Sequence, residues 1–234
     1  GTQPLVEMPE SLKGNPLVEE WNTPYQTPPF SEIEYAHYEP AIDYAIELNR
    51  AEIEAIINNP EAPTYANTIA ALDQCGALLR KVRGTFSPLS SSNSNDEIRA
   101  LQKELSPLSS AHSDDINLNP ALFARVKAVY EQKDNLSLTA EQAKVLQNTY
   151  DRFVKSGAEL SDEDKEKLRA LNQEISMLQL TFSQNLQHET NNTYVVANSL
   201  EELKGLPQAN IDAAAKMAAD NGQEGKWMFN MQRP

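Results

Sequence analysis

Histidine is the residue type best suited to hold a catalytic metal, and the chain contains three, His37, His112 and His188. A hydrolytic zinc helix needs two histidines one turn apart, a third ligand and a glutamate that activates water. His188-Glu189 opens such a pattern, but Asn192 stands where the second ligand is required. We therefore predict no metal ligand and no catalytic residue within this chain.

Cys75 is the only cysteine, so an intrachain disulfide is excluded. It lies at helical spacing among apolar residues, which are Ile69, Leu72, Leu79 and Val82. A nucleophilic thiol needs a partly open setting that lowers its pKa, and no neighbour in sequence supplies one. The pattern favours a buried, small apolar role for Cys75.

A polar cluster near the end of the longest predicted helix is the one candidate for ligand contact; it comprises Gln184, Asn185, His188, Asn191 and Asn192. Amide and imidazole groups on neighbouring turns match the donors and acceptors of a peptide backbone. The same residues equally fit a solvated helix end. Both interpretations stay open, and the residues that bind substrate are otherwise unknown.

Charge excludes one class of partner. Acidic residues outnumber basic ones by 34 to 20, which gives a formal net charge of −14. Such a chain repels phosphate backbones, so nucleic acid is not expected as a partner. A hydrophobic content of 40% over 234 residues is enough for a core, and no apolar run is long enough to predict a membrane span.

The elements that must position these residues are predicted to be helices. They run from Pro40 to the stop at 58–60, from Thr64 to about Phe86, from about Asp96 with a kink at Pro107, over 120–131, from Thr139 to Gly157, and from Ser161 to about Thr193. A short alanine-rich helix follows at 211–219. The predicted fold class is all-α, an antiparallel helical bundle with a long helical hairpin, an extended N-terminal arm and a short C-terminal strand.

The hairpin is predicted from the last two long helices, since only residues 158–160 separate them. An apolar seam of coiled-coil type runs along the second helix of the pair, at Leu168, Leu171, Ile175, Leu178 and Phe182. Leu186 continues the same spacing, and a seam of this type is a surface for contact with another helix.

Both ends of the chain are predicted to be irregular or extended. Residues 1–15 indicate a flexible leader, and the prolines of 21–30 favour an extended arm whose Trp21, Tyr25 and Phe30 lie against the body. The run 226–231 indicates a strand with no obvious partner in the chain. An unpaired strand is a liability, so we expect the natural protein to continue beyond Pro234.

Several of these segments resemble a known family. They are Trp21-Asn-Thr-Pro-Tyr-Gln-Thr-Pro-Pro-Phe30, Asn59-Pro-Glu-Ala-Pro-Thr-Tyr-Ala-Asn-Thr-Ile69, Glu104-Leu-Ser-Pro107 with Ser110-Ala-His112, Lys127-Ala-Val-Tyr-Glu-Gln132, Phe153-Val-Lys-Ser-Gly-Ala158, Phe182-Ser-Gln-Asn185, Glu189-Thr-Asn191 and Gly225-Lys-Trp227. Met in this order, they resemble the start of the peptidyl-dipeptidase and oligopeptidase A group of zinc metallopeptidases, relatives of thimet oligopeptidase.

The resemblance implies that this chain is the N-terminal portion of a longer enzyme, truncated before the His-Glu-x-x-His region. Residues 1–39 would be leader and arm, 40–221 the helical N-terminal domain, and 222–234 the start of a strand leading into the catalytic part. Zinc would be bound outside this chain, and the fragment alone would be inactive. The parent would hydrolyse short peptides, by releasing C-terminal dipeptides or by cutting internally, with this portion as a channel wall.

A second function stays open beside this one. The chain could be a complete, non-enzymatic helical module that binds peptides or a partner protein. The two hypotheses differ in whether the reading frame continues into a His-Glu-x-x-His helix. The N-terminus shows no signal-peptide pattern, but the chain starts with Gly1 rather than Met, which indicates that it has been processed or trimmed. An exported, periplasmic parent is therefore favoured over a cytoplasmic one.

Overall fold

Helices dominate the structure, a computed structural model that describes residues 5–92 and 96–230, without the side chains of 87–92 and 190–192. The chain divides into two compact units, Gly1–Met177 and Leu178–Pro234. The all-α prediction is confirmed, since the described strands form only a two-stranded sheet.

The helices are α1 (Tyr38–Ile57), α2 (Ala71–Gln74, preceded by a π-helical turn at Tyr65–Ala70), α3 (Ala77–Ser92), α4 (Asp96–Asn117), α5 (Pro120–Glu131), α6 (Ala140–Lys155), α7 (Asp162–Asn192) and α8 (Gln208–Asp220). The strands are β1 (Tyr194–Ala197) and β2 (Trp227–Asn230). Pro107 lies inside α4, and the kink expected at this residue stays a prediction.

Helix α1 packs into two hydrophobic clusters of the first unit through its buried face. Ile42 and Ile46 belong to the first cluster with Tyr38, Leu79 and Leu105 among others. Ile53 and Ile56 belong to the second, which contains Ile69, Leu122, Phe123, Val126, Leu146 and Phe153. Between Ile46 and Ile53, the same face carries a buried polar residue, Asn49.

The helix predicted from Thr64 to Phe86 is broken in the middle, which corrects the sequence prediction. Cys75 is extended, with φ −65° and ψ 150°, and Gly76 is left-handed, with φ +73°. Apolar spacing continues across the break, so periodicity alone does not reveal it. Only glycine adopts this conformation without steric cost, and Gly76 is therefore the local cause of the break.

The termini of α6 are formed by local sequence, as predicted. Thr139 and Gln142 form a capping box, with each side chain accepting the other residue's backbone N–H at 3.1 and 3.0 Å. At the C-terminus, Gly157 has φ +99° and its N–H donates to the Val154 carbonyl, while the Ala158 N–H donates to the Phe153 carbonyl. This pair of hydrogen bonds is a Schellman motif, and it turns the chain toward α7.

Helix α7 contacts α4, an element that the predicted hairpin with α6 does not include. Asn172 Nδ2 donates to Asp114 Oδ1 at 2.9 Å, and Arg169 Nη1 lies 2.7 Å from Asp115 Oδ1. Further along, Ser106 and Ser176 hydroxyls are 2.8 Å apart. Residue numbers rise on α7 as they fall on α4, so the two segments run antiparallel.

The predicted seam of α7 is largely exposed. In the first unit Leu171 and Ile175 are 54% and 48% exposed; in the second, Leu178, Phe182 and Leu186 are 62%, 70% and 54% exposed. An apolar period shows that a helix has an apolar face, but it does not show that the same chain covers that face.

The prediction that the C-terminal strand has no partner is wrong. In the second unit β2 pairs antiparallel with β1, and Tyr194 lies opposite Asn230, Ala197 opposite Trp227. Met231, the last residue of the predicted strand, lies outside the described residues. With a partner present, the unpaired edge no longer supports the argument that more polypeptide must follow.

The N-terminal segments also differ from expectation. Within the predicted flexible leader, whose first four residues lie outside the described part, Leu12 is 2% exposed and Asn15 is buried. The arm contains short 3₁₀ turns at Pro24–Gln26 and Phe30–Glu32. Tyr25, with φ +58°, is 99% exposed. The prolines fix their own φ angles but do not determine whether the residues between them extend or turn.

Trp21 is the aromatic of the arm that does lie against the body, because Lys81 Nζ is 4.4 Å from its ring centroid. The Trp21 indole also donates to the Pro16 carbonyl at 2.8 Å.

Among the helices of residues 5–92 and 96–230, none is long and apolar enough to cross a membrane.

Candidate functional site

The first unit contains a cavity of about 220 Å³ at the break between α2 and α3. We call it the arginine cavity, after Arg80, Arg83 and Arg152, which line it. Its other lining residues come from α1, α2, the break itself, α3 and α4; they are Asn49, Ile53, Leu72, Cys75, Gly76, Leu79, His112, Ser113, Ile116 and Asn117. Arg152 comes from α6, so five helices and one turn build this concave site.

A buried polar pair forms one wall of the arginine cavity. Asn49 Nδ2 lies 2.9 Å from His112 Nε2, and both side chains are almost completely buried. An amide nitrogen can only donate, so His112 Nε2 accepts and the proton of the neutral imidazole is on Nδ1. Neither the Asn49 Oδ1 nor the His112 Nδ1 atom has a hydrogen-bond partner among the described residues.

Gly76 permits this pair to lie close to the helix break. A Cβ atom at position 76 would be 3.1 Å from Asn49 Nδ2 and 3.3 Å from Asn49 Cγ. The glycine therefore has two local roles: it adopts the left-handed conformation that ends α2, and it leaves room for the amide that binds His112. The Gly76 N–H donates to Glu52 Oε1 at 3.3 Å, which ties the break to α1.

Arg83 is the arginine of this site whose guanidinium has an unpaired nitrogen. Its Nη2 atom is buried and has no hydrogen-bond partner in the described part of the chain. Burial lowers the pKa of the Arg83 guanidinium from its ordinary value, and no carboxylate contributes to that shift. Among the described lining residues, three are arginines and none is Asp or Glu, so this cavity is electropositive within an acidic chain.

Arg80 lies at the exposed edge of the cavity. Its Nη1 atom donates to the Cys75 carbonyl at 2.6 Å, beside the short helix α2. Cys75 itself is half-buried, and burial raises the pKa of its thiol to about 11. A thiol with this pKa is protonated at neutral pH and is therefore a poor nucleophile. This agrees with the prediction that Cys75 does not act as a nucleophile.

The three histidines lie in different elements. His37 lies in a 3₁₀ turn before α1, where its Nδ1 accepts the Glu34 N–H at 2.9 Å. His112 is on α4, and His188 is on α7. In the polar cluster of α7, Gln184 is buried whereas Asn185 and His188 are exposed, and the side chains of Asn191 and Asn192 lie outside the described ones.

These positions do not fit a catalytic metal. In residues 5–92 and 96–230, no three side chains of His, Cys, Asp or Glu form a group that could hold a metal ion. His112 is hydrogen-bonded to Asn49 through its Nε2 atom.

Lowering the pH is expected to destabilise the first unit through His112. Burial, with the charges of Arg50 and Arg83, lowers the pKa of His112 from its ordinary value of 6.5, while Asp115 acts in the opposite direction. The stability contributed by the neutral ring is complete above about pH 6.5 and is lost as pH falls through the lower pKa of the folded state. One such group changes the free energy of unfolding by at most about 1.4 kcal/mol per pH unit.

The measurement is urea unfolding at about pH 7.5 and about pH 5.5 for the parent chain and His112→Gln. Both carry Trp227→Phe, so that the fluorescence of Trp21 reports the first unit. The loss of stability on acidification should be smaller in H112Q. An equal loss in the two proteins would show that His112 titrates no differently in the folded and unfolded states.

Sequence reasoning missed this site, although its signals were present. Asn49 occupies an apolar position of α1, three residues after Ile46 and four before Ile53. His112 likewise falls seven residues after Leu105, on the apolar face of α4. A polar residue in an apolar helical register indicates a buried polar contact.

The fold and the cavity define a helical protein with a pocket lined by three arginines, and comparison with known proteins supplies its relatives. The dipeptidyl carboxypeptidase of Salmonella typhimurium is 39% identical over 218 residues, which are 93% of this chain and 32% of that protein. The Escherichia coli dipeptidyl carboxypeptidase is 37% identical over 92% of this chain and 32% of its own length. Oligopeptidase A of Haemophilus influenzae is 27% identical over 88% and 30%.

The resemblance to the peptidyl-dipeptidase and oligopeptidase A group is thereby confirmed: this chain is homologous to these peptidases along nearly its whole length. It spans about a third of the length of the curated relatives it matches. No protein-family model matches the chain.

Proposed function

We propose that this chain is the helical, channel-wall portion of a zinc-dependent peptidyl-dipeptidase that hydrolyses short peptides and releases C-terminal dipeptides. The observation that carries the proposal is the 39% identity to a dipeptidyl carboxypeptidase over 93% of the chain. In this proposal the zinc ion and its general base belong to polypeptide outside these 234 residues. The metal would polarise the scissile carbonyl and activate a water.

Two features of the described residues agree with a supporting role. The His, Cys, Asp and Glu side chains of 5–92 and 96–230 form no group that could hold a metal ion. In this proposal the metal ligands come from the rest of the polypeptide. Helix α7 exposes five large apolar residues at spacings of three and four, namely Leu171, Ile175, Leu178, Phe182 and Leu186. We propose that the rest of the same polypeptide, the catalytic domain, covers them.

The test compares this chain with the protein encoded by its complete reading frame. With zinc supplied, the longer protein should release dipeptides from the C-terminus of short synthetic peptides, followed by mass spectrometry, and a chelator should stop the reaction. The isolated chain should fold as helix by circular dichroism and release none. Substrates with an amidated C-terminus serve as control, since recognition of the terminal carboxylate should make them poorer.

Two results would contradict the proposal. Zinc-dependent cleavage by the rigorously purified 234-residue chain would place the metal within it, and a reading frame that ends at Pro234 would favour the stand-alone binding module. In the complete enzyme, replacing Gln184 and Asn185 tests whether the polar cluster contacts peptide. Unchanged turnover would remove that role.

A further inference from the structure

Arg83 carries a partly buried charge, and no carboxylate contributes to the shift of its pKa. Its Nη2 atom has no hydrogen-bond partner among the described residues, and no carboxylate is among the described residues that line the cavity. An ionised group removed from water without a partner is costly, and guanidinium cannot escape the cost by losing its proton at neutral pH. A ligand that supplies the missing acceptor would therefore stabilise this arrangement.

A second donor lies in the same wall. His112 is 2% exposed, and its Nδ1 carries the proton because Nε2 accepts from Asn49. This Nδ1 also has no partner in the described part of the molecule. Arg83 and His112, two residues with an unpaired donor atom, therefore line the same cavity, and they match a ligand with at least two acceptor atoms and negative charge.

The size and charge of the cavity restrict that ligand further. A volume of about 220 Å³ exceeds the share of one water, about 30 Å³ in the liquid, and holds a small polyatomic group. Arg80 and Arg152 add positive charge at the edge. The planar fork of a guanidinium suits the oxygens of carboxylate and phosphate, which it can bind with two parallel hydrogen bonds.

We propose that the arginine cavity binds a small oxyanion, a carboxylate or an inorganic phosphate, whose oxygens accept hydrogen bonds from Arg83 Nη2 and His112 Nδ1. The site lies wholly within the first unit and joins α1, α3 and α4. It is independent of the proposed peptidase activity. A bound oxyanion neutralises Arg83 and thereby stabilises the contact between these three helices.

The test is isothermal titration of the 234-residue chain with acetate and, separately, with phosphate, at constant ionic strength set by chloride. At least one oxyanion should bind saturably with one site per chain. Acetate alone would identify a carboxylate site, phosphate alone a phosphate site, and both a general oxyanion site. Arg83→Met should weaken binding at least about tenfold, which is the loss of one charge-assisted hydrogen bond or more.

The stability of the variant separates a binding role from a structural one. Without oxyanion, R83M should be no less stable than the parent, because a buried unpaired charge has been replaced by an apolar side chain of similar length. Arg125→Met is the matched control: the Arg125 guanidinium already has three acceptors, the Asn59 and Glu61 carbonyls and Asn67 Oδ1. R125M should lose stability yet keep the oxyanion affinity of the parent.

A second variant keeps the proposal falsifiable if R83M fails to fold. Arg83→Lys retains the charge without the fork, and it should bind the oxyanion more weakly than the parent while remaining folded. The proposal is overturned if neither acetate nor phosphate binds above the chloride background. It is equally overturned if every folded Arg83 variant binds as tightly as the parent.

Discussion

Phe153→Ala is expected to destabilise the first unit by about 3–5 kcal/mol, a large part of the total stability of a domain. Phe153 has no exposed surface and belongs to the second hydrophobic cluster. Its ring is 6.1 Å from that of Phe123, centroid to centroid, with an interplanar angle of 30°. Truncation removes the burial of a whole ring and leaves a cavity that neighbouring helices fill only in part.

Urea unfolding of the Trp227→Phe protein, followed by Trp21 fluorescence, measures this loss. Phe30→Ala is the control in the same unit, since Phe30 is 43% exposed and its loss should cost less than about 1 kcal/mol. If F153A and F30A cost the same, Phe153 is not part of a close-packed cluster.

The second large effect concerns the turn between α6 and α7. Gly157→Ala should cost about 2–4 kcal/mol, because a left-handed residue with a Cβ is strained and because the added atom has no space. That Cβ would be 2.7 Å from Leu168 Cδ2 and 2.9 Å from Leu160 Cδ1. Either the two leucines shift or the Schellman motif opens.

Gly14→Ala separates these two causes. Gly14 has φ +79° in the same unit, but nothing lies within 4 Å of its Cβ position. The G14A protein should therefore show only the backbone strain, about 1–2 kcal/mol, and the difference between the two variants measures the steric contact. Equal costs would show that Leu160 and Leu168 move aside freely.

Local signals explain which parts of the fold could be predicted from sequence. The capping box of Thr139 and Gln142 and the helix end at Gly157 depend on residues within one turn, so their chemistry is visible in the sequence. The break at Gly76 was missed because the apolar period continues across it. A glycine inside a helical pattern does not determine whether its backbone adopts the left-handed conformation.

Long-range pairing explains the remaining errors. The partner of β2 is β1, more than thirty positions earlier in the chain, and no turn signal joins them. Helix α7 contacts α4 through hydrogen bonds such as that from Asn172 to Asp114. The types of these two residues do not predict that they pair with each other. The arginine cavity combines both difficulties, since Asn49, Arg83 and His112 come from three helices.

The hydrogen bond between Asn49 and His112 fixes the alignment of α1 along α4. Each residue interrupts an otherwise apolar face, so sliding one helix by a turn would set each polar group against hydrocarbon. Neighbouring isoleucines and leucines would tolerate such a slide far better, because apolar contacts are not directional. One amide and one imidazole thus favour the observed register, as buried polar residues do in coiled coils.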